Sequence, residues 1–220
     1  WVIRAARKTK ATVALTGHWY VGASCIAARN LGALKHVMVA AHAQELLKAE
    51  GPPLIASMIT KHRRWTLRNA DALLPVSNFT SELLLQDGVP ASAVHVCPNG
   101  THLEDFCQEE HVTAGTKLRH DWGLGQVPVI GTLSRLVPRK GVDTVIRAMP
   151  TILRKFPELH YLVAGEGPDI ERLTQLRGQV GVTNRVRFIG RLKQTEVAAF
   201  HHAIDAFVMP ARQEGPSVEG

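Results

Sequence analysis

The residues best suited to chemistry stand in one short run, GTLSRLVPRKG, from Gly131 to Gly141. Arg135, Arg139 and Lys140 occupy a loop that Gly141 closes. The apolar run Val127 to Leu133 before it predicts a buried strand. After it, Val142, Val145, Ile146, Met149, Ile152, Leu153 and Phe156 fall on one face of a helix over 142–156. A strand, a basic loop and a helix N-terminus make an anion site. The helix offers free N–H groups and the positive end of its dipole, and Arg135 and Lys140 add full charges. Such a loop suits a diphosphate. Basic loop residues are often no more than solvated charge. What sets this loop apart is its place at the carboxyl end of a strand expected to be parallel, where open α/β sheets bind ligands. The run is neither GxxxxGK[ST] nor GxGxxG.

His42 opens H-A-Q-E at the end of the apolar run His36 to Ala41. A zinc protease helix would need HExxH, so metal binding is not expected there. From spacing alone, a strand-end histidine is more often structural, and His18 at the end of ATVALT reads the same way. Gly165 and Gly167 make a tight turn in their simplest reading. Arg191 and Leu192 follow Gly190 in a loop, and Glu219, taken alone, is a surface charge. Cys25, Cys97 and Cys107 are too few and too scattered for a disulfide framework or a zinc site.

Alternating elements must carry these residues. Strands are expected at 11–16, 36–41, 71–76 and 94–97, with helices near 21–31 and 54–69. Ser77 or Asn78 should cap a further helix, which Gly88-Val89-Pro90 ends. Residues 101–126 change character, with clustered acids, scattered glycines and no long periodic apolar face. Strands then return at 127–133, 160–164, 186–189 and 206–209. Helices fall between them: 142–156, one that Pro168 starts with Ile170, Leu173, Leu176 and Val180 buried, and one near 194–203. This alternation is the pattern of parallel sheets with right-handed crossovers.

Composition narrows the partners. The chain has 220 residues, 45% hydrophobic and 20% charged, with a formal charge of +7. Anionic small molecules, nucleic acid and anionic membranes all match that balance. Aromatic residues are 5% and do not interleave with the basic runs, so nucleic acid is not expected. No apolar stretch approaches the length of a membrane span, and WVIRAARKTK lacks the apolar core of a signal peptide. A cytoplasmic protein is expected, with peripheral contact on the inner face of a membrane left open.

At this point the motifs combine. S-R-L-V-P-R-K-G, V-A-G-E-G-P at 163–168, V-R-F-I-G-R at 186–191 and V-M-P-A-R-Q-E-G-P-S-V-E-G at 208–220 resemble, in order and spacing, the donor-binding domain of GT-B glycosyltransferases. H-A-Q-E, A-D-A-L-L-P-V-S-N-F-T at 70–80 and P-N-G at 98–100 look like the acceptor-side domain. The match is to the retaining family 4, the glycosyl transferases group 1. The resemblance implies two Rossmann-like domains of parallel sheet: an acceptor-side domain at 1–105, a connection at 106–126 and a donor-binding domain at 127–220.

It also implies roles. His42 would assist catalysis facing the donor sugar, and Arg135 and Lys140 would hold the donor diphosphate without a metal ion. Glu219 would be the first Glu of E-x7-E, holding hydroxyls of the donor sugar, with Glu214-Gly215 a rival match. Gly165 and Gly167 would edge the nucleotide cleft, and Arg191 with Leu192 would meet the base. The implied reaction is transfer of a sugar from a nucleoside diphosphate sugar to a hydroxyl of a glycan or lipid, with retention and no cofactor, in polysaccharide or glycolipid biosynthesis. A nucleotide-sugar epimerase on the same fold and a noncatalytic nucleotide-binding fragment are the rival readings. Relative to the family pattern the chain looks like the middle of a longer enzyme. It is then expected to transfer no sugar alone and to leave Phe207 and Val208 poorly buried.

Overall fold

The computed structural model describes residues 1–46 and 52–212. The chain divides into two compact units, Trp1–Thr101 and His102–Gly220. In the first, α1 (Val2–Thr9), β1 (Val13–Thr16), α2 (Trp19–Asn30), β2 (His36–Ala41), α3 (Ala43–Leu46), α4 (Pro53–Asn69), β3 (Ala72–Pro75) and α5 (Asn78–Gln86) follow in order. The three strands pair in the order β1-β2-β3, all parallel. The apolar alternation of β2 buries Val37, Val39 and Ala41, and Leu67, Leu73 and Leu84 pack beside them. Ser77 caps α5 by accepting from the Thr80 amide at 3.2 Å, as its residue type leads one to expect. A buried ion pair braces this unit: Asp87 accepts from Arg63 at 2.8 Å and from Arg64 at 3.0 Å.

The strand expected at 94–97 is reduced to a bridge between Leu73 and Val94. The cause lies in β3. His95 donates to the Leu73 carbonyl and Cys97 to that of Pro75, both at 2.9 Å. A parallel ladder needs the residue at position 75 to donate back, and proline has no N–H.

The second unit runs α6 (Glu109–Asp121), β4 (Val129–Leu133), α7 (Val142–Lys155), β5 (His160–Ala164), α8 (Ile170–Gln179), β6 (Val186–Gly190), α9 (Val197–Ala203) and β7 (Ala206–Phe207). Its strands are parallel in the order β6-β5-β4-β7. The chain winds outward from β4 through β5 to β6, then crosses back to lay β7 on the other side of β4. That reversal makes the carboxyl end of β4 the topological switch point of this sheet.

The amphipathic face of α7 buries Val142, Val145, Ile146 and Met149 against Tyr161 and Val163 of β5 and Leu173 and Leu176 of α8. Each such side chain contributes ~1.5–3 kcal/mol by leaving water. Phe156, expected on that face, is instead the C-cap residue and stays exposed with the Lys155 ammonium over its ring. Pro168 lies ahead of α8, whose N-cap residue is Asp169. Residues 106–126, expected to be a connection, carry α6, which packs along α9. Phe207 of β7 is exposed, whereas Val208, just after β7, packs against the core.

Candidate functional site

Thr132 supports the switch point from below. Its hydroxyl donates to the Val208 carbonyl at 2.7 Å and so accepts from the Tyr161 hydroxyl at 2.7 Å. Both side chains are fully buried, and burial pushes the Tyr161 phenol up to about 12. This bond chain ties β5, β4 and the residues after β7 together directly beneath the basic loop. β7 ends at Phe207, short of the expected 206–209, and the Val208 amide still donates to the Gly131 carbonyl at 2.8 Å.

The loop itself leaves β4 at Ser134. Pro138–Lys140 forms one 3₁₀ turn, and Gly141 is the N-cap residue of α7. Arg135 is exposed and Lys140 partly buried. Neither has a carboxylate partner among the described residues. The amides at the start of α7 face the same end of the sheet. Two uncompensated cations beside a helix N-terminus at a switch point hold a positive field for an anion.

Two flanking segments are brought against this loop. The turn after β5 is the nearer. The Leu136 amide donates to the Glu166 carbonyl at 2.8 Å, the Asp169 amide to Leu136 at 3.1 Å and the Ser134 amide to Ala164 at 3.1 Å. At this spacing a Cβ on Gly165 would collide with the Ser134 carbonyl, and one on Gly167 with the Leu136 carbonyl. Gly165 also has φ +123°. The two glycines are therefore required by close approach of two loops. The second segment follows β7: the Arg212 amide donates to the Arg139 carbonyl at 2.9 Å. Arg212 also reaches Asp143 at 3.3 Å, which Arg172 approaches at 3.7 Å. The chain thus passes the basic loop immediately before residue 213. Glu219, with its rival Glu214, lies outside the described residues.

After β6, Arg191 is exposed, and Leu192 packs partly into the cluster of Leu124, Val129, Leu162 and Phe200. The Gly165 amide donates to the Gly190 carbonyl at 2.7 Å, so this loop starts beside the turn after β5.

In the first unit, His42 stands exposed just past β2. His18 occupies the matching place past the neighbouring β1. Their rings lie 6.4 Å apart, and His18 stacks on Tyr20 at 5.0 Å. The pairing of β1 with β2 brings these histidines together. The sequence reads His18 as a packed or surface imidazole, and its nearness to His42 follows only from strand order.

Two family models match the chain. Glycosyltransferase Family 4 matches residues 1–105, and Glycosyl transferases group 1 matches residues 116–218. A GDP-mannose-dependent alpha-(1-6)-phosphatidylinositol monomannoside mannosyltransferase of Mycolicibacterium smegmatis is 31% identical over 206 residues, 91% of this chain and 52% of that protein. A 2-deoxystreptamine glucosyltransferase of Streptomyces kanamyceticus is 28% identical over 169 residues, covering 74% of this chain and 43% of the other. The chain spans about half the length of the curated relatives it matches. Among solved structures, Anabaena Alr3699/HepE in complex with UDP superposes with a TM-score of 0.78 at 17% identity, over 98% of this chain and 57% of that one. The lipopolysaccharide glycosyltransferase WaaG gives 0.60 at 16% identity, over 84% and 56%. The fold is accordingly GT-B, and the chain belongs to glycosyltransferase family 4, the glycosyl transferases group 1.

Proposed function

We propose that this chain carries the catalytic machinery of a retaining glycosyltransferase that moves a sugar from a nucleoside diphosphate sugar to a hydroxyl of a lipid-linked acceptor. In this reading residues 127–220 bind the donor and 1–105 the acceptor. The single observation that carries it is the basic loop at the switch point of the second sheet, where Arg135 and Lys140 have no carboxylate partner among the described residues and stand beside the α7 N-terminus.

The chemistry follows from that placement. The acceptor oxygen forms a bond to the anomeric carbon as the bond from that carbon to the diphosphate breaks. The hydroxyl proton leaves with the departing diphosphate or to solvent. Negative charge grows on the bridging oxygen, and fixed cations lower the energy of that state more than of the bound donor. Arg135 and Lys140 supply those cations. His42, past β2, assists at the donor sugar, and Glu219 holds its hydroxyls. Gly165 and Gly167 edge the nucleotide site, and Arg191 with Leu192 meets the base.

The relatives named as phosphatidylinositol mannoside mannosyltransferases favour GDP-mannose as the first donor to test and a glycolipid as acceptor. A glycolipid acceptor would bring the enzyme to a membrane, and our reading extends to a cytoplasmic enzyme peripherally attached at the inner face. No helix among the described residues is long and apolar enough to cross a bilayer. An epimerase on this fold would convert donor with no acceptor present, and no named relative points that way. The test is incubation of the full-length protein with GDP-mannose, UDP-glucose and ADP-glucose, with and without phosphatidylinositol mannoside, followed by product separation. Acceptor-dependent release of nucleoside diphosphate with a glycosylated lipid is expected. Donor conversion without acceptor would replace the reading.

A further inference from the structure

The anion site of the second unit has a carboxylate built into it. Asp143 is the second residue of α7 and is 7% exposed, in the same first turn whose amides face the basic loop. A negative charge there suits the helix dipole but weakens the hold of the helix on a bound anion. Burial adds a second cost, since a desolvated carboxylate without a cation is strongly unfavourable. Asp143 Oδ1 is buried with no hydrogen-bond partner among the described residues. Both of its ion pairs are made by Oδ2.

The two arginines that reach Oδ2 are not equivalent. Arg172 lies 3.7 Å away, and its guanidinium is already committed to Asp169 through two bonds of 2.6 Å. Asp169 is itself buried. One arginine thus serves two buried acids, and Asp143 has the lesser share of it. Arg212 lies at 3.3 Å and has no other carboxylate among the described residues. Its side chain is 44% exposed, so it closes over the acid from the solvent side.

The backbone around Arg212 is pressed on the same place. A Cβ on Gly141 would collide with the Pro210 carbonyl, and Gly141 has φ +68°, so glycine is what lets this segment cross the start of α7. The Arg212 amide donates to the Arg139 carbonyl at 2.9 Å. Backbone and side chain of one residue therefore grip both the basic loop and the first turn of the helix after it.

We infer that Arg212 is a positioning residue of the donor site: its side chain screens the Asp143 carboxylate from the bound diphosphate and anchors residues 210–212 across the start of α7. Arg212 acts through Asp143 and not on phosphate. With Asp143 screened, the α7 amides, Arg135 and Lys140 act on an anion together. The same anchor fixes the start of the chain that goes on to Glu219. The inference rests on the reading that this loop binds a nucleoside diphosphate.

The test is a set of variants of the full-length protein, Arg212→Ala, Asp143→Asn and both together, titrated calorimetrically with GDP and UDP. Arg212→Ala uncovers the carboxylate and should weaken binding of both about tenfold, the effect of one partly screened like charge. Asp143→Asn removes that charge and should bind at least as tightly as wild type. The double variant should return to wild-type affinity, because nothing is left to screen, and this non-additivity is the signature of a shared partner. Turnover from GDP-mannose to phosphatidylinositol mannoside should split from affinity. Asp143→Asn and the double variant both lack the side-chain anchor, so kcat should fall about tenfold in each with donor KM near normal. Arg212→Lys keeps a cation on Asp143 and should bind within about threefold of wild type. If Arg212→Ala loses its far-ultraviolet dichroism, Arg212→Gln makes the same comparison with more of the side chain kept.

A double variant as weak as Arg212→Ala would overturn the inference, because Arg212 would then meet the phosphate itself. So would wild-type affinity in Arg212→Ala, which would show that Asp143 is not felt at the site. Tenfold weakening by Asp143→Asn alone would do the same, since the carboxylate would then be building the site. Failure of the transferase reading looks different: the affinity series would run as expected while wild type moves no sugar to any acceptor.

Discussion

Removing the charge of Lys140 or Arg135 should weaken nucleoside diphosphate binding unequally, because the two side chains sit in different surroundings. Lys140 is partly buried on the 3₁₀ turn against the start of α7, and among the described residues no carboxylate loses a partner when it goes. Its contact with a phosphate oxygen is a charge-assisted bond in a partly desolvated place, worth about 1.5–3 kcal/mol. Lys140→Ala should therefore raise the dissociation constant of GDP or UDP by about 10- to 150-fold. Arg135 is exposed, solvent screens it, and Arg135→Ala should fall at or below the low end of that range. Turnover should fall further than affinity in both, since leaving-group charge is larger in the transition state than in the bound donor. Arg139→Ala is the control, with little change expected, because Arg139 holds the loop through its backbone carbonyl. Calorimetric titration with both nucleotides, paired with turnover, reads all three variants. If Lys140→Ala and Arg135→Ala bind with wild-type affinity, the phosphate assignment is wrong and the loop is solvated charge.

His42→Ala should largely abolish transfer while leaving nucleoside diphosphate affinity intact, since His42 and the basic loop belong to different units; near-normal turnover makes His42 structural. Asp87→Ala should destabilise the first unit by about 3–5 kcal/mol in urea titration, because it breaks the ion pair of buried Arg63, and should leave GDP affinity unchanged. Burial holds the imidazoles of His160 and His201 below their ordinary 6.5. His160 Nε2 also lies 3.2 Å from an Arg185 nitrogen, a contact that an added proton would spoil. Their folded-state values are depressed, so the unfolded chain binds more protons as acid is added. The stability they contribute is whole above about pH 6.5 and is lost as pH falls through the folded-state values. The urea midpoint of the second unit should drop between about pH 7.5 and about pH 5.5, and His160→Gln should reduce the drop.

The sequence alone carried whatever depends on near neighbours. Strands β2 and β5 coincide with their expected bounds because unbroken apolar runs end at turn residues. The buried stripe of α7 was legible from its period, and the α5 cap from one serine. What escaped depends on distant partners. Helix α6 has no apolar face of its own, since it meets α9 through Gly115, where a Cβ would strike His202 and the Ala199 carbonyl. A mid-helix glycine reads as a break, and only the facing helix turns it into a packing surface. The amphipathic α1 likewise gains its place from α2, with Ala6 its one buried residue. The loss of a strand at 94–97 needed Pro75 of β3 as its neighbour. The site divides the same way. Arg135 and Lys140 stand out as candidates by residue type and spacing, whereas His42, Gly165 and Gly167 become candidates only through the family resemblance. That the basic loop lies at a switch point, against Gly165, Gly167 and Arg212, and that His18 stands beside His42, followed from strand order. Parallel pairing is set by contacts made dozens of residues apart, and no local period encodes them.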